Sequence, residues 1–190
     1  MTTEQIQFND GAAYERYMGV WSQLAGDAFL AWLAPKPEQQ WLDIGCGNGA
    51  FTQMIAERCT PHTLHGIDPS EAQLAYARTR LNTAQFEQGD AMNLPYGNNS
   101  VDIAVMPLVI FFVPDPAKGV AEMVRVVRSG GLVTAYAWDF LGGGFPYDVV
   151  RTVLKNSNIN APLPPSPNAG NLSVLHDLWV QAGLQDVETK

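Results

Sequence analysis

Apolar and polar positions divide this chain into short apolar runs separated by amphipathic stretches. Between Gly11 and Leu33, the residues Trp21, Leu24, Ala25, Ala28, Phe29 and Trp32 fall on one helical stripe, which Pro35 and Pro37 end. Residues 41–44 then read as a strand and 51–58 as a helix, 63–67 as a strand and 71–81 as a helix. Residues 84–88 and 101–106 are two further strands, 116–127 a helix, 129–131 a turn and 132–138 a fifth strand. Strands alternating with helices predict a parallel sheet with helices on both faces, a doubly wound α/β fold. Beyond residue 138 the pattern loosens: glycines at 142–144 and a proline-rich stretch at 162–167 bracket a helix at 147–155. A last helix at 172–181 stops before Gly183, and 184–189 could begin a sixth strand.

In such sheets ligands sit at the carboxyl ends of the strands, near the point where strand order reverses. The first strand runs into Asp43-Ile44-Gly45-Cys46-Gly47-Asn48-Gly49-Ala50, three glycines in five residues before a helix. Such a turn lets backbone approach a ligand with no Cβ in the way. Gly45, Gly47 and Ala50 also satisfy the dinucleotide fingerprint, so the glycines alone leave the ligand open. The carboxylate of Asp43 favours a cationic amino-acid group over a pyrophosphate there. Asp68 and Asp90 fall at the ends of the next two strands, so three carboxylates line one rim. For each, capping of a helix or turn is the competing structural explanation.

Composition narrows the function classes. The chain has 190 residues, 46% hydrophobic and 16% charged, as expected of one globular domain. With a net charge of −8 and eleven scattered basic residues, a nucleic-acid surface is not expected; Arg78 with Arg80, and Arg125 with Arg128, read as solvated helix faces. Cys46 and Cys59 make neither a disulfide framework nor a metal pattern, which suits a reduced, cytoplasmic protein. His62, His65 and His176 lack ligand spacing, so no metal is expected, and neither a membrane span nor a signal peptide is predicted.

Four segments in this order resemble the class I S-adenosylmethionine-dependent methyltransferases, in particular the group that includes the ubiquinone and menaquinone biosynthesis methyltransferases. They are Leu42 to Gly49, Gly66-Ile67-Asp68-Pro69-Ser70, Gly89-Asp90-Ala91-Met92-Asn93-Leu94-Pro95, and the stretch from Glu122 to Gly131. The resemblance implies a Rossmann-like fold and S-adenosylmethionine as cofactor. The Gly45, Cys46, Gly47, Asn48 and Gly49 turn would approach its methionine part, with Asp43 balancing the ammonium. Asp68 would accept from the ribose hydroxyls and Asp90 from the adenine amino group. Backbone of Ala91 or Met92 would hold the ring edge, and Pro69 and Met92 would pack on it. Met106 completes the expected cofactor set, and Tyr17 is a candidate for the cofactor carboxylate. Residues 1–37 would form a helical lid, 38–138 the cofactor-binding core, and 139–190 a substrate-side segment.

Methyl transfer from a sulfonium asks mainly for positioning and desolvation. Trp21, Phe111, Trp138, Phe140 and Phe145 are the expected acceptor contacts, which suit a small, partly apolar molecule. No general base is evident: Phe111 stands where the family often has histidine, and Ser129 where it usually has proline. The family sheet closes with two strands beyond the fifth. If the chain is complete at Lys190, its C-terminal strands are incomplete, and the open edge could pair with a second copy in a homodimer; the alternative is a fragment of a longer protein. Two other functions remain: a non-catalytic S-adenosylmethionine-binding protein, and a nicotinamide-dependent oxidoreductase. The second leaves Asp43 and the Asp90 segment unexplained.

Overall fold

The computed structural model describes residues 11–159 and 161–190, with side chains from Met18 onward. Five strands, β1 (Gln40–Ile44), β2 (Thr63–Asp68), β3 (Gln85–Gln88), β4 (Val101–Pro107) and β5 (Val127–Tyr136), form one all-parallel sheet in the order β3-β2-β1-β4-β5. The helices are α1 (Gly11–Leu33), α2 (Ala50–Cys59), α3 (Glu71–Arg80), α4 (Pro116–Val126), α5 (Asp148–Asn156) and α6 (Leu172–Gln181). Strand order reverses between β1 and β4, where this class of sheet opens a crevice at its carboxyl rim.

The two-residue period of the strands sorts the core into two layers. Trp41, Ile103 and Val105 face Phe29 and Leu30 of α1 and Phe51 and Ile55 of α2. Leu42, Ile44, Ala104 and Met106 face the other side, against Val120, Met123 and Val126 of α4. Burial of each such large side chain contributes about 1.5–3 kcal/mol. Two helices are capped as their sequences suggest: the Asp115 carboxylate accepts from the Lys118 N–H ahead of Pro116, and Ser70 Oγ from the Gln73 N–H.

Several expectations need correction. In α1 the core-facing residues are Phe29 and Leu30, whereas Trp21 and Leu24 are exposed. Gly26 is buried too: a Cβ there would lie 3.0 Å from Met54 and 3.1 Å from Phe51, so α1 meets α2 through a glycine that a hydrophobic stripe does not register. The expected turn at 129–131 lies inside β5 as an irregularity. Val101 pairs with Val127 but Ile103 with Leu132, so the extra residues bulge out while the strand continues. That strand ends at Tyr136, two residues short of Trp138.

Residues 184–189 form no strand. Asp186 adopts φ +53°, which interrupts an extended run, and the Trp179 indole N–H donates to Val133 O at 2.7 Å, taking an acceptor on the outer edge of β5. No helix among the described residues is long and apolar enough to cross a membrane.

Candidate functional site

Because β1, β2 and β3 are parallel neighbours, their carboxyl ends bring the glycine turn, Asp68 and the Asp90 segment onto one rim. The turn is built by backbone conformation. Gly45 has φ +74°, and a Cβ on it would sit 2.5 Å from Val109 in the loop after β4. Gly47 has φ +53° and differs: a Cβ there would meet nothing within 4 Å, so the backbone faces open space. The N–H groups of Gly45 and Cys46 both donate to Ile67 O, at 2.7 and 3.0 Å, tying the turn to the end of β2. Asn48 Oδ1 accepts from the Ala50 N–H at 3.2 Å as α2 begins.

Asp68 joins the two halves of the rim. Its Oδ2 accepts from the Gly47 N–H at 2.9 Å and its Oδ1 from the Ser70 N–H at 2.8 Å. Burial raises its carboxyl above the ordinary range, opposed by these two hydrogen bonds. A carboxylate has about four lone-pair sites, so each oxygen keeps acceptor capacity for a ligand. Asp43 lies deeper, fully enclosed. Its Oδ2 accepts from Thr52 Oγ1 at 2.6 Å, and its Oδ1 has no hydrogen-bond partner. Burial pushes this carboxyl up to about 7, with the Thr52 hydrogen bond opposing and the Asp68 charge adding. Asp43 therefore sits beneath the turn as a buried charge or proton, with its side chain closed to direct ligand contact in this structure.

Asp90 is exposed, and its Oδ1 accepts from the Met92 N–H at 2.8 Å while its carbonyl accepts from the Asn93 N–H at 3.0 Å. The turn-capping explanation thus holds for it, and the cap also fixes the Ala91–Met92 backbone. Pro69 is exposed beside Asp68, and its carbonyl accepts from Gln88 Nε2 at 2.9 Å.

The remaining predicted residues divide. Cys46 is buried, and desolvation, with the charges of Asp43 and Asp68, raises its thiol pKa, so it is a packing residue and not a nucleophile. Met106 is fully buried in the core layer that faces α4. Phe111 is 1% exposed and packs edge-on to Phe112 and Phe140 with centroids 4.7 and 4.8 Å apart; Phe145 stacks on Phe140 at 4.5 Å. Phe111, in the turn after β4, thus packs on Phe140 of the segment beyond β5, where Trp138 and Phe145 are half-buried. Trp21 stands exposed on α1, and the Tyr17 side chain lies outside the described residues.

Sequence reasoning missed Thr52 and Val109. Thr52 is one of the core-facing residues of α2, and its spacing from Asp43 carries no motif. Val109 reaches Gly45 only through the loop between Pro107 and the 3-10 turn Ile110–Phe112.

Residues 42–135 match the family model described as a methyltransferase domain. Over 107 residues the chain is 36% identical to the demethylmenaquinone methyltransferase of Desulfitobacterium hafniense, covering 53% of this chain and 42% of that protein. Over 120 residues it is 29% identical to the malonyl-[acyl-carrier protein] O-methyltransferase of Pectobacterium atrosepticum, covering 63% and 46%. Among solved structures, a SAM-dependent methyltransferase of Thermotoga maritima, described as a possible histamine N-methyltransferase, superposes with TM-score 0.63 at 27% identity, over 92% of this chain and 78% of that one. The chain spans less than half the length of these curated relatives. Residues 42–135 are a methyltransferase domain of the class I, S-adenosylmethionine-dependent kind, and the chain resembles the ubiquinone and menaquinone group. The cofactor of this class is S-adenosylmethionine. The open space over Gly47 and the spare acceptor capacity of Asp68 fit it.

Proposed function

We propose that this chain moves a methyl group from S-adenosylmethionine to a small, partly apolar acceptor by in-line displacement. The observation that carries the reading is the rim itself, where an open glycine backbone at Gly47 is hydrogen-bonded to a carboxylate at Asp68. When bound, the cofactor supplies an electrophilic methyl on a sulfonium. Asp68 holds the ribose, and the Asp90-to-Met92 backbone reads the adenine edge. The turn from Gly45 to Gly49 takes the methionine part, and Asp43 acts on its ammonium through the floor of the turn. Trp138 and Phe145 provide the apolar side of the acceptor space. The test is incubation with methyl-labelled cofactor and a panel of small phenols, quinols, amines and thiols, with tRNA alongside. Label in a small acceptor supports the reading. Cofactor binding with label in none of them supports a non-catalytic binding protein.

The position of Asp43 sets a pH dependence. Its carboxyl is raised from 3.8 to about 7 in the folded chain, so between those values the native state holds a proton that the unfolded chain has released. Stability therefore falls as pH rises through that window, and Asp43→Asn removes the slope. An ammonium above the turn favours the ionised form, so S-adenosylhomocysteine affinity weakens below pH ~7, by up to about tenfold per unit, and the Asp43→Asn substitution flattens the profile. Titrations from acid to neutral pH measure both.

Cofactor handling would use the β1–β3 half of the sheet, so a partner would meet the β5 side, where Trp179 already takes Val133 O. The reading gives that edge to a second copy of this chain, and sedimentation of the purified protein at rising concentration tests for the dimer. Two free, buried cysteines, Cys46 and Cys59, suit a cytoplasmic setting.

A further inference from the structure

Glu122 and Arg125 of α4 have no role in the cofactor reading, yet their side chains are built into the loop that carries Asp90. Arg125 Nε and Nη2 donate to Glu122 Oε1 and Oε2, both at 2.7 Å, in a two-pronged pair. The guanidinium then reaches past Glu122: Nη2 donates to Leu94 O at 2.9 Å, and Nη1 to Tyr96 O at 2.7 Å and Asn98 Oδ1 at 3.0 Å. In return Glu122 Oε2 accepts from the Leu94 N–H at 2.8 Å. The pair thus holds both backbone groups of Leu94, two residues beyond Met92. The Arg125 carbonyl extends the attachment by accepting from the Asn99 N–H at 3.0 Å.

An exposed ion pair at this helical spacing would contribute little. This one differs in being mostly covered, with side chains 31% and 18% exposed, and in filling three backbone positions of one loop. The Arg125 hydrogen bond is the main influence holding the Glu122 carboxyl below its usual range, so the pair is ionised at neutral pH. A planar guanidinium can serve the carboxylate and both carbonyls at once, whereas a lysine ammonium is a point donor. Upstream, the Asp90–Met92 turn is closed by hydrogen bonds of its own. Downstream, its position depends on where Leu94 is held.

We propose that Glu122 and Arg125 are positioning residues that set adenine selectivity by fixing the Asp90–Met92 turn from α4. The proposal rests on the reading that this turn meets the adenine. It makes the affinity of the site for adenine over a base lacking the 6-amino group depend on side chains that touch no ligand.

Arg125→Lys and Glu122→Gln, each checked for folding by thermal melting, are titrated with S-adenosylhomocysteine and with its hypoxanthine analogue, S-inosylhomocysteine. The wild-type chain prefers the adenine ligand. Both variants bind that ligand about tenfold more weakly, within the range of couplings between connected groups, and the preference falls toward parity. If one variant fails to fold, the other decides. Unchanged affinity and preference in a folded variant overturns the proposal. So does an equal weakening for both ligands, which marks a merely structural role. If the wild-type chain binds neither ligand, or binds both equally, the adenine reading itself fails, and the inference falls with it.

Discussion

Asp68→Ala weakens S-adenosylhomocysteine binding by about a hundredfold or more while the chain remains folded. Asp68 lies at the end of β2 with each oxygen already accepting one backbone N–H, from Gly47 and from Ser70. Those contacts aim the carboxylate before any ligand arrives. Two ribose hydroxyls donating to a charged acceptor are worth about 1.5–3 kcal/mol each, so their loss weakens binding roughly a hundred- to ten-thousandfold. Alanine also leaves the Gly47 N–H without its acceptor, loosening the turn on the methionine side. Asp68→Asn retains one carbonyl acceptor and falls between the two. Calorimetric titration measures the affinities, and far-ultraviolet circular dichroism checks the fold. Wild-type affinity in a folded Asp68→Ala chain would remove Asp68 from the site.

Gly45→Ala has the second large effect, on stability first. The residue must adopt φ +74°, and its new Cβ would sit 2.5 Å from Val109. The left-handed conformation costs about 1–2 kcal/mol and the overpacking typically about 1–3 kcal/mol. Together they take a large fraction of the ~5–15 kcal/mol that keeps a domain folded. Urea denaturation measures the loss. Adding Val109→Ala removes the contacts at 2.5 and 2.6 Å but keeps a Cβ at 3.1 Å and the backbone cost, so the double variant recovers part of the stability. Full recovery would mean that the backbone of the turn tolerates a side chain.

The distribution of readable features follows from which forces are local. The parallel sheet was legible because strands β1, β2 and β4 are short apolar runs, each bounded by turn chemistry, and both layers of the core follow from their two-residue period. Asp68 and Gly47 were legible because a strand followed by a glycine turn places them at the rim without help from distant residues. Asp43 was legible as a charge, but its enclosure beneath the turn needed Thr52, which α2 alone delivers. The α1 face was misread because its tight contact with α2 is made by Gly26, where closeness replaces hydrophobic bulk. Phe111 and Phe140 look like binding residues in the sequence and are packing residues in space, since each fills the other's surroundings. The Glu122–Arg125 pair lies within a recognisable segment, but its partners Leu94 and Tyr96 lie 28 and 29 positions from Glu122 and Arg125 respectively, beyond the reach of any helical spacing rule.

On this geometry the rim takes the amino-acid sulfonium cofactor and not a dinucleotide. Calorimetric titration of the wild-type chain with S-adenosylhomocysteine, and in parallel with NADH, tests it most directly. Micromolar binding of S-adenosylhomocysteine, with no heat of binding from NADH at the same concentrations, is the expected result. Saturable binding of NADH, with none of S-adenosylhomocysteine, would contradict it.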